Sequence, residues 1–360
     1  MKRAHKQNGY ISLPILLFLL LLMVLAFGAA AFMFYLRKPL EVLHDYNQTM
    51  ATIGLAKTQF IKALNADQTP DIDSFDDPVF ALNGTLLGGF TLTVEDVSSK
   101  LPINWININI LENTTLASVL NSGVSMQQLN DHREDVGYGY DITKKYMGYI
   151  RPEALKKYFT AFGWANINVS SEETLSDLYQ FRLDSAGSVS EFKSKVRQKL
   201  LAKELWKDSE LPQALGAGQT KAYPSINTLP LMNVNFAPAD IIGAVITYPF
   251  PDGLIENAAA ISANLSEARI SKAIDPALLK LMIPIKKAQQ ERVFCYLGTR
   301  TWFWKLTLTN DTEKYALIFS IAPDLTSGPS VDKPKGIIRL ILVKNELKNT
   351  NVDAPVSVQP

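Results

Sequence analysis

The chain begins with its longest uninterrupted run of apolar residues. No charged side chain occurs from Tyr10 to Leu36, and basic residues flank this run on both sides. About 20 apolar residues in a helix, each rising 1.5 Å, cross a hydrocarbon layer about 30 Å thick. The pattern therefore predicts a membrane-spanning helix over residues 10–36. With so short a segment ahead of it, we expect the N-terminus in the cytoplasm and the bulk of the chain outside.

A helical period continues beyond the predicted membrane span. Apolar residues recur there at steps of three and four, which is the spacing of one helix face. Only Lys57 interrupts this stripe of Leu43, Tyr46, Met50, Ile53, Phe60, Ile61 and Leu64. The pattern predicts one long helix that ends near Asn65.

Strand patterns occur early and late in the remaining sequence. FTLTVED (residues 90–96) alternates apolar and polar positions, as a half-buried strand does. Four more strand-like segments, VFCYLG, TWFWKLTL, YALIFSI and GIIRLILV, lie between Val293 and Val343, with polar turns between them. Because the intervening sequence is mostly helical in pattern, we predict an α+β fold, a small antiparallel sheet split by a large helical insertion.

This interpretation divides the chain into six regions. They are a leader (1–9), a transmembrane helix (10–36), the continuation of that helix with the first strand (37–100), a helical insertion with two related segments (101–290), the strands that complete the sheet (291–345) and a flexible tail (346–360).

Composition and charge exclude several classes of function. The net charge of +1 provides no clustered basic footprint for nucleic acid. Cys295 is the single cysteine, so no internal disulfide can form, and the three histidines lack metal-ligand spacing. The sequence contains no Ser–His–Asp set, HExxH motif or glycine-rich phosphate loop, and we therefore expect a protein that is not an enzyme.

An acidic segment, DQTPDIDSFDD, follows the predicted long helix. Carboxylates at this spacing could bind Ca²⁺, which takes six to eight oxygen ligands. The segment lacks the loop glycine and distal glutamate of an EF-hand, so a solvated turn is the favoured interpretation. The weak metal candidates are Asp71, Asp73, Asp76 and Asp77.

An internal similarity links two segments of the insertion. INWININILENTTLASVL (103–120) and LPLMNVNFAPADIIGAVI (229–246) align without gaps, which places Asn107 and Asn109 on Asn233 and Asn235. A short asparagine side chain hydrogen-bonds nearby backbone and suits a position just ahead of a helix. We predict that these asparagines form turns and helix caps and have no catalytic role.

The N-terminus resembles the leader of the type IV pilin class. MKRAHKQNG is short and basic and ends in Gly9, directly before Tyr10 and the apolar run. The resemblance implies that a prepilin peptidase cuts after Gly9, which makes Tyr10 the methylated new N-terminus. The fifth mature residue is Pro14, where most pilins have a glutamate. The alternatives are a plain uncleaved anchor, or an ordinary secretory signal cut near Ala29 and Ala31.

The order of these motifs resembles the K-type minor pseudopilin of type II secretion systems (the general secretion pathway protein K family). Its members combine a pilin leader, no fifth-position glutamate, and two segments like TVEDVSSKLPINWININIL and LPLMNVNFAPADII before a final sheet region. This chain departs from the pattern at Tyr10, Ile110 and Phe236. The resemblance implies a subunit at the pseudopilus tip, anchored in the inner membrane and complexed with two other minor pseudopilins. It also implies bound calcium.

A DNA-handling envelope protein is the second interpretation. NVNFAPADII is similar to the start of the helix-hairpin-helix of competence DNA receptors. That motif needs a glycine-containing hairpin whose backbone N–H groups meet phosphate. This chain instead continues with AVITYPFPDG, which has two prolines and lacks Gly-Ile-Gly.

Overall fold

The computed structural model describes residues 12–112, 115–135, 139–183, 186–211, 226–248, 253–322, 337–346 and 350–351. The chain divides into two compact units, residues 1–58 and 59–360. The α-helices are α1 Ser12–Asn65, α2 Met126–Asp135, α3 Ile142–Tyr146, α4 Pro152–Tyr158, α5 Glu172–Leu183, α6 Ala186–Leu201, α7 Ala239–Thr247, α8 Ala258–Ser271, α9 Pro276–Met282 and α10 Lys287–Phe294. The strands are β1 Leu86–Leu87, β2 Phe90–Asp96, β3 Leu101–Pro102, β4 Phe159–Thr160, β5 Ala165–Asn166, β6 Ile226–Asn227, β7 Met232–Asn233, β8 Leu297–Gly298, β9 Phe303–Thr309, β10 Lys314–Ala322, β11 Ile337–Asn345 and β12 Thr350–Asn351.

The first unit consists of the greater part of α1. This helix runs for 54 residues and continues through Pro39, a residue that usually ends or kinks a helix. Its apolar side chains between Leu13 and Leu25 are exposed. Within the described part of the chain, α1 is the one helix that is long and apolar enough to cross a membrane. The predicted long helix is confirmed, while Leu43 and Tyr46 of the predicted stripe are exposed.

The second unit contains a six-stranded antiparallel sheet of order β1-β2-β9-β10-β11-β12. Strand β2 buries alternate residues, as its sequence pattern predicts. On one face of the sheet, the Phe60 ring stacks on Phe319 at 4.5 Å between centroids and meets the edge of Trp304 at 6.5 Å. The last turns of α1 therefore contribute directly to the sheet core.

The helical insertion leaves the sheet after β2 and returns at β9. Helices α2–α10 and the short strands β3–β8 all lie between these two strands. The predicted α+β architecture, with its sheet split by the insertion, is thus confirmed. Two segments differ from the prediction. VFCYLG is not a long strand, because α10 continues through Phe294 and only Leu297–Gly298 is extended. Thr350–Asn351, predicted to lie in the tail, pairs with β11.

Within the insertion, one backbone pattern occurs three times. Each occurrence consists of a two-residue strand, a tight turn, one extended residue and then a helix. The strands begin at Leu101, Ala165 and Met232, which are 64 and 67 residues apart. We call these segments copies one, two and three. Each first strand pairs in parallel with the two-residue strand that ends its copy, β3 with β4, β5 with β6 and β7 with β8.

The backbone match between the three copies corrects the internal sequence alignment in two ways. The sequence predicted two related segments and placed Asn107 on Asn233, whereas the backbone pattern places Asn107 on Pro238 and Asn104 on Asn235. The gapless alignment matched asparagine to asparagine and shifted the register by five residues. It also omitted copy two, where Asn168 occupies the equivalent position.

Candidate functional site

The fourth position of each copy is an asparagine that holds the later part of its own copy. In copy three, Asn235 Oδ1 accepts a hydrogen bond from Ile274 N at 2.8 Å, and Nδ2 donates to Ile274 O at 3.2 Å. In copy two, Asn168 makes the same pair of bonds with Trp206, at 2.7 and 3.1 Å. A primary amide suits this role because it offers one acceptor and two donors.

Copy one varies this arrangement. Asn104 Nδ2 donates to Gly139 O at 3.0 Å, but its Oδ1 accepts from the Tyr146 hydroxyl at 3.2 Å. Burial raises the pKa of Tyr146 to about 12, so the hydroxyl keeps its proton and remains a donor. The amide therefore links the turn to α3.

The second position of a copy connects it to a neighbouring segment. Asn166 Nδ2 donates to Leu229 O at 2.8 Å and to Cys295 O at 3.2 Å. Asn233 Nδ2 donates to Asp73 O at 2.8 Å. Both side chains also accept from the backbone N–H two residues later, which forms an Asx turn. In copy one the second position is Pro102.

The other predicted asparagines have smaller roles. Asn107 accepts from Asn109 N at 3.1 Å and caps the 3₁₀ helix Ile108–Leu111. Asn109 itself is exposed within that short helix. Its backbone N–H completes the Asn107 turn, as the backbone N–H of Asn235 does for Asn233.

Copies one and three share an arginine that the sequence analysis did not select. A guanidinium from later in the copy donates to the carbonyls at the third and sixth positions of the turn. For Arg133 these are Ile103 O at 3.3 Å and Ile106 O at 2.6 Å, and for Arg269 they are Val234 O at 3.2 Å and Ala237 O. Arg133 is fully buried and Arg269 is partly exposed.

Three carboxylates meet in the segment after α1. Ligand atoms of Asp67, Asp73 and Asp77 lie within 4.8 Å of one another, and all three residues are buried. Asp71 and Asp76 are exposed. The predicted solvated turn is therefore wrong for Asp73 and Asp77, and the group includes Asp67, which the sequence analysis did not select.

The surroundings of these carboxylates contain both a cation and a backbone donor. Arg300 Nη1 lies 3.6 Å from Asp71 Oδ1, and burial lowers the pKa of Arg300 while the charges of Asp73, Asp71 and Asp67 oppose that shift. Thr301 N donates to Asp73 Oδ2 at 2.6 Å. Ca²⁺ prefers carboxylate oxygens as ligands, so the ligand type of these three residues suits this ion. Three carboxylates leave part of a six- to eight-oxygen shell to carbonyls or water.

A hydrogen-bond network joins this acidic segment to the sheet and to copy three. Asp96, at the end of β2, accepts from Ser98 N at 2.7 Å and from Thr301 Oγ1 at 2.9 Å, as well as from the Ser99 hydroxyl. Burial raises the pKa of Asp96 to about 6, although these hydrogen bonds oppose the shift. Ser99 Oγ in turn accepts from Asn233 N at 3.2 Å. The network thus fixes the point where the insertion meets the sheet.

The predicted processing residues lie at the N-terminal limit. Gly9 and Tyr10 are outside the described residues. Pro14 lies in the first turn of α1, where a missing backbone N–H costs little because those groups have no intrahelical acceptor. Cys295 is buried, and burial raises its thiol pKa to about 12, so it does not supply a thiolate at neutral pH.

Comparison with known proteins finds similarity to a solved structure but not to a sequence family. The sequence matches no family model and no curated protein. Among solved structures, the chain is similar to a chain of the GspK-GspI-GspJ complex from the enterotoxigenic Escherichia coli Type 2 Secretion System. The match covers 85% of this chain and 98% of that chain, with 11% sequence identity and a TM-score of 0.32. A superposition at this level carries no argument about function.

Proposed function

We propose that this protein is a minor pseudopilin at the tip of a type II secretion pseudopilus, where it primes filament assembly and supports protein export across the outer membrane. The observation that carries the proposal is α1. This one helix combines an apolar stretch long enough to span a membrane with a C-terminal end that packs on an antiparallel sheet. The leader-like segment MKRAHKQNG lies directly before it in the sequence.

Pro14 supports a place at the top of the filament. In pilins generally, the fifth-position glutamate pairs with the N-terminal amine of a neighbouring subunit. A proline has neither a charge nor a backbone N–H to offer there. A subunit with no neighbour above it has no amine to pair with, so the substitution removes nothing that a tip subunit uses.

In this proposal the protein works by packing and performs no chemistry. The apolar half of α1 lies in the inner membrane before assembly and then against the helices of neighbouring subunits. The sheet and the three copies lie in the periplasm and cap the filament. The partners are two other minor pseudopilins, the rest of the pseudopilus and the prepilin peptidase, and no nucleic acid is involved.

Leader removal tests the proposal most directly. In cells that contain a prepilin peptidase, we expect the intact mass of the mature protein to correspond to a chain that starts at Tyr10. Gly9→Val should leave the leader in place, whereas the neighbouring control Asn8→Ala should be cut normally. Mature protein that starts elsewhere, or that is found in the periplasm without its apolar helix, would contradict the proposal.

Partner binding provides a second test. The full chain, extracted in detergent, should co-purify with other minor pseudopilins from the same cell. Loss of that complex in the uncut Gly9→Val protein, with retention in Asn8→Ala, would connect processing to assembly. Equal recovery of the complex from both variants would show that leader removal is not needed for binding these partners.

The proposal extends to calcium, which the family resemblance implies and which Asp67, Asp73 and Asp77 would hold. Calorimetric titration of the full chain with Ca²⁺ should then show one saturable site that Mg²⁺ fills poorly, because Mg²⁺ demands a smaller, stricter shell. Asp77→Asn should abolish the site. Asp76→Asn, a matched change at an exposed position of the same segment, should leave it unchanged. Equal losses in both variants, or no heat with either ion, would remove calcium from the proposal.

A further inference from the structure

A groove with a volume of about 690 Å³ lies between the sheet and the first copy's helices α3 and α4. Its floor belongs to the sheet. Lys305 on β9 pairs with Ile318 on β10, and Ile318 pairs with Leu342 on β11, so these residues form one row across the strands. Their neighbours Trp304 and Phe319 point to the opposite face, where Phe60 packs.

The groove has a marked excess of positive charge. Its lining includes six lysines, Lys100, Lys144, Lys145, Lys156, Lys305 and Lys344, but only three acids, Glu95, Asp141 and Glu346. These acids already have partners. Glu346 binds Lys305 and Lys314, Glu95 lies 3.9 Å from Lys100, and Asp141 caps α3 by accepting from Lys144 N.

Three of the lysines are available to bind a ligand. Within the described ranges, Lys144, Lys156 and Lys344 take part in no ion pair. Lys144 and Lys156 are exposed on α3 and α4, and Lys344 lies opposite them on β11. Lys100 Nζ donates to Lys156 O at 2.9 Å, which ties the sheet end of the groove to α4. The positive side chains thus line both walls of an already formed groove.

We propose that this groove binds an acidic peptide segment of a partner protein, with carboxylates against the lysines and an apolar side chain over Ile318 and Leu342. Lysine presents its ammonium on a long aliphatic stem, so it can contact a carboxylate while its stem covers an apolar group. The proposal goes beyond the place of the chain in a filament and stands without it.

The chemistry of the groove favours a peptide over a nucleic acid. A phosphate backbone would bring a continuous row of negative charge past Glu95, Asp141 and Glu346, whereas a peptide can place its acids only at the lysines. Base stacking would need an open aromatic face, but Tyr140 already stacks on Phe162 at 5.5 Å between centroids. A sugar-phosphate chain also has no apolar group to pack on the floor of the groove.

The test uses the full chain in neutral detergent micelles and a fluorescein-labelled peptide of alternating glutamate and leucine. Fluorescence anisotropy should show saturable binding that weakens as salt is raised. The double variant Lys144→Glu with Lys156→Glu should weaken binding at least about tenfold, because two attractions become repulsions. The control Lys280→Glu with Lys287→Glu makes the same charge change on α9 and α10 and should retain the wild-type affinity.

Two further probes separate the groove from general charge. A peptide with serine in place of leucine should bind more weakly, because it cannot cover the apolar floor. A single-stranded DNA oligonucleotide should fail to displace the glutamate-leucine peptide. Absence of saturable binding, equal losses in the two double variants, equal affinity for the serine peptide, or displacement by DNA would each overturn the proposal.

Discussion

Copies one and three have the same turn but use it differently. Both place an asparagine at the fourth position and an arginine under the turn carbonyls. Copy three has Asn233 at the second position and binds the acidic segment through it, whereas copy one has Pro102 there. The fourth position therefore holds each copy internally, although in copy three Asn235 Nδ2 also donates to Asp73 O at 3.1 Å. The second position is an asparagine where a copy binds a segment outside itself.

The largest expected effect comes from the buried arginine of copy one. Arg133→Met should lower the free energy of unfolding by about 3–5 kcal/mol, because it leaves buried carbonyls of Ile103 and Ile106 without their charged donor. Arg269→Met should cost only about 1–2 kcal/mol, since water reaches its partly exposed site. Denaturant unfolding of the full chain in detergent, followed by tryptophan fluorescence, would measure both.

Equal losses in these two variants would contradict the expected difference between copies one and three. They would mean that exposure of Arg269 does not relieve the loss of its hydrogen bonds. Arg133→Lys separates the effect of the charge from that of the guanidinium geometry. A lysine keeps the charge but not the planar fork that reaches two carbonyls, so we expect it to recover less than half of the loss.

The next largest effect concerns the fourth position. Asn235→Ala should destabilise the protein by about 2–4 kcal/mol, because Ile274 loses both of its side-chain partners in a buried site. Asn109→Ala is the matched control. That side chain is exposed, and its replacement should change stability by less than about 0.5 kcal/mol. The backbone pattern matches Asn235 with Asn104, whereas the sequence alignment matched it with Asn109. Similar losses of stability in both variants would contradict the special role of the fourth position.

A smaller effect, confined to one pH range, concerns Asp96. Burial raises its pKa in the folded protein to about 6, above the ordinary value of 3.8, so the folded state retains a proton that the unfolded state releases. The contribution of this group to stability is complete below about pH 4 and declines as pH rises to about 6. Wild type should therefore lose up to about 3 kcal/mol relative to Asp96→Asn between these pH values.

The measurement for Asp96 is the difference between the unfolding free energies of the two proteins, taken from pH 4 to pH 7. Other carboxylates titrate equally in both and cancel in that difference. A constant difference across the range would contradict the assignment of the raised pKa. A difference that grows in the opposite sense would show that the hydrogen bonds from Ser98, Ser99 and Thr301 outweigh the effect of burial.

The sequence predicted the elements that repeat a simple period. The long helix and β2 follow periods near 3.6 and of 2, and Phe303–Thr309 and Lys314–Ala322 form strands rich in apolar side chains. VFCYLG was misassigned because a short apolar run fits a strand and a buried helix end equally well. Here the helix extends as far as Phe294.

The candidate site was harder to predict because its parts are distant in sequence. Copy two shares the Asn-x-Asn pattern of Asn166 and Asn168 with copy three but not with copy one, which has Pro102 at the second position, so sequence similarity did not select it. Arg133 and Arg269 recognise backbone carbonyls, which any residue type can supply, and the carbonyl positions therefore leave no signal in the sequence. Asp67 joins Asp73 and Asp77 only because the chain turns back after α1.

The insertion leaves and re-enters the sheet at adjacent residues, since Val97 N donates to Phe303 O at 3.1 Å. Each of its copies also closes on itself through a short parallel pair. A chain built in this way can gain or lose a whole copy by tandem duplication or deletion without changing any strand of the sheet. The size of the insertion can therefore evolve in steps of one copy, while the strands of the sheet stay constant.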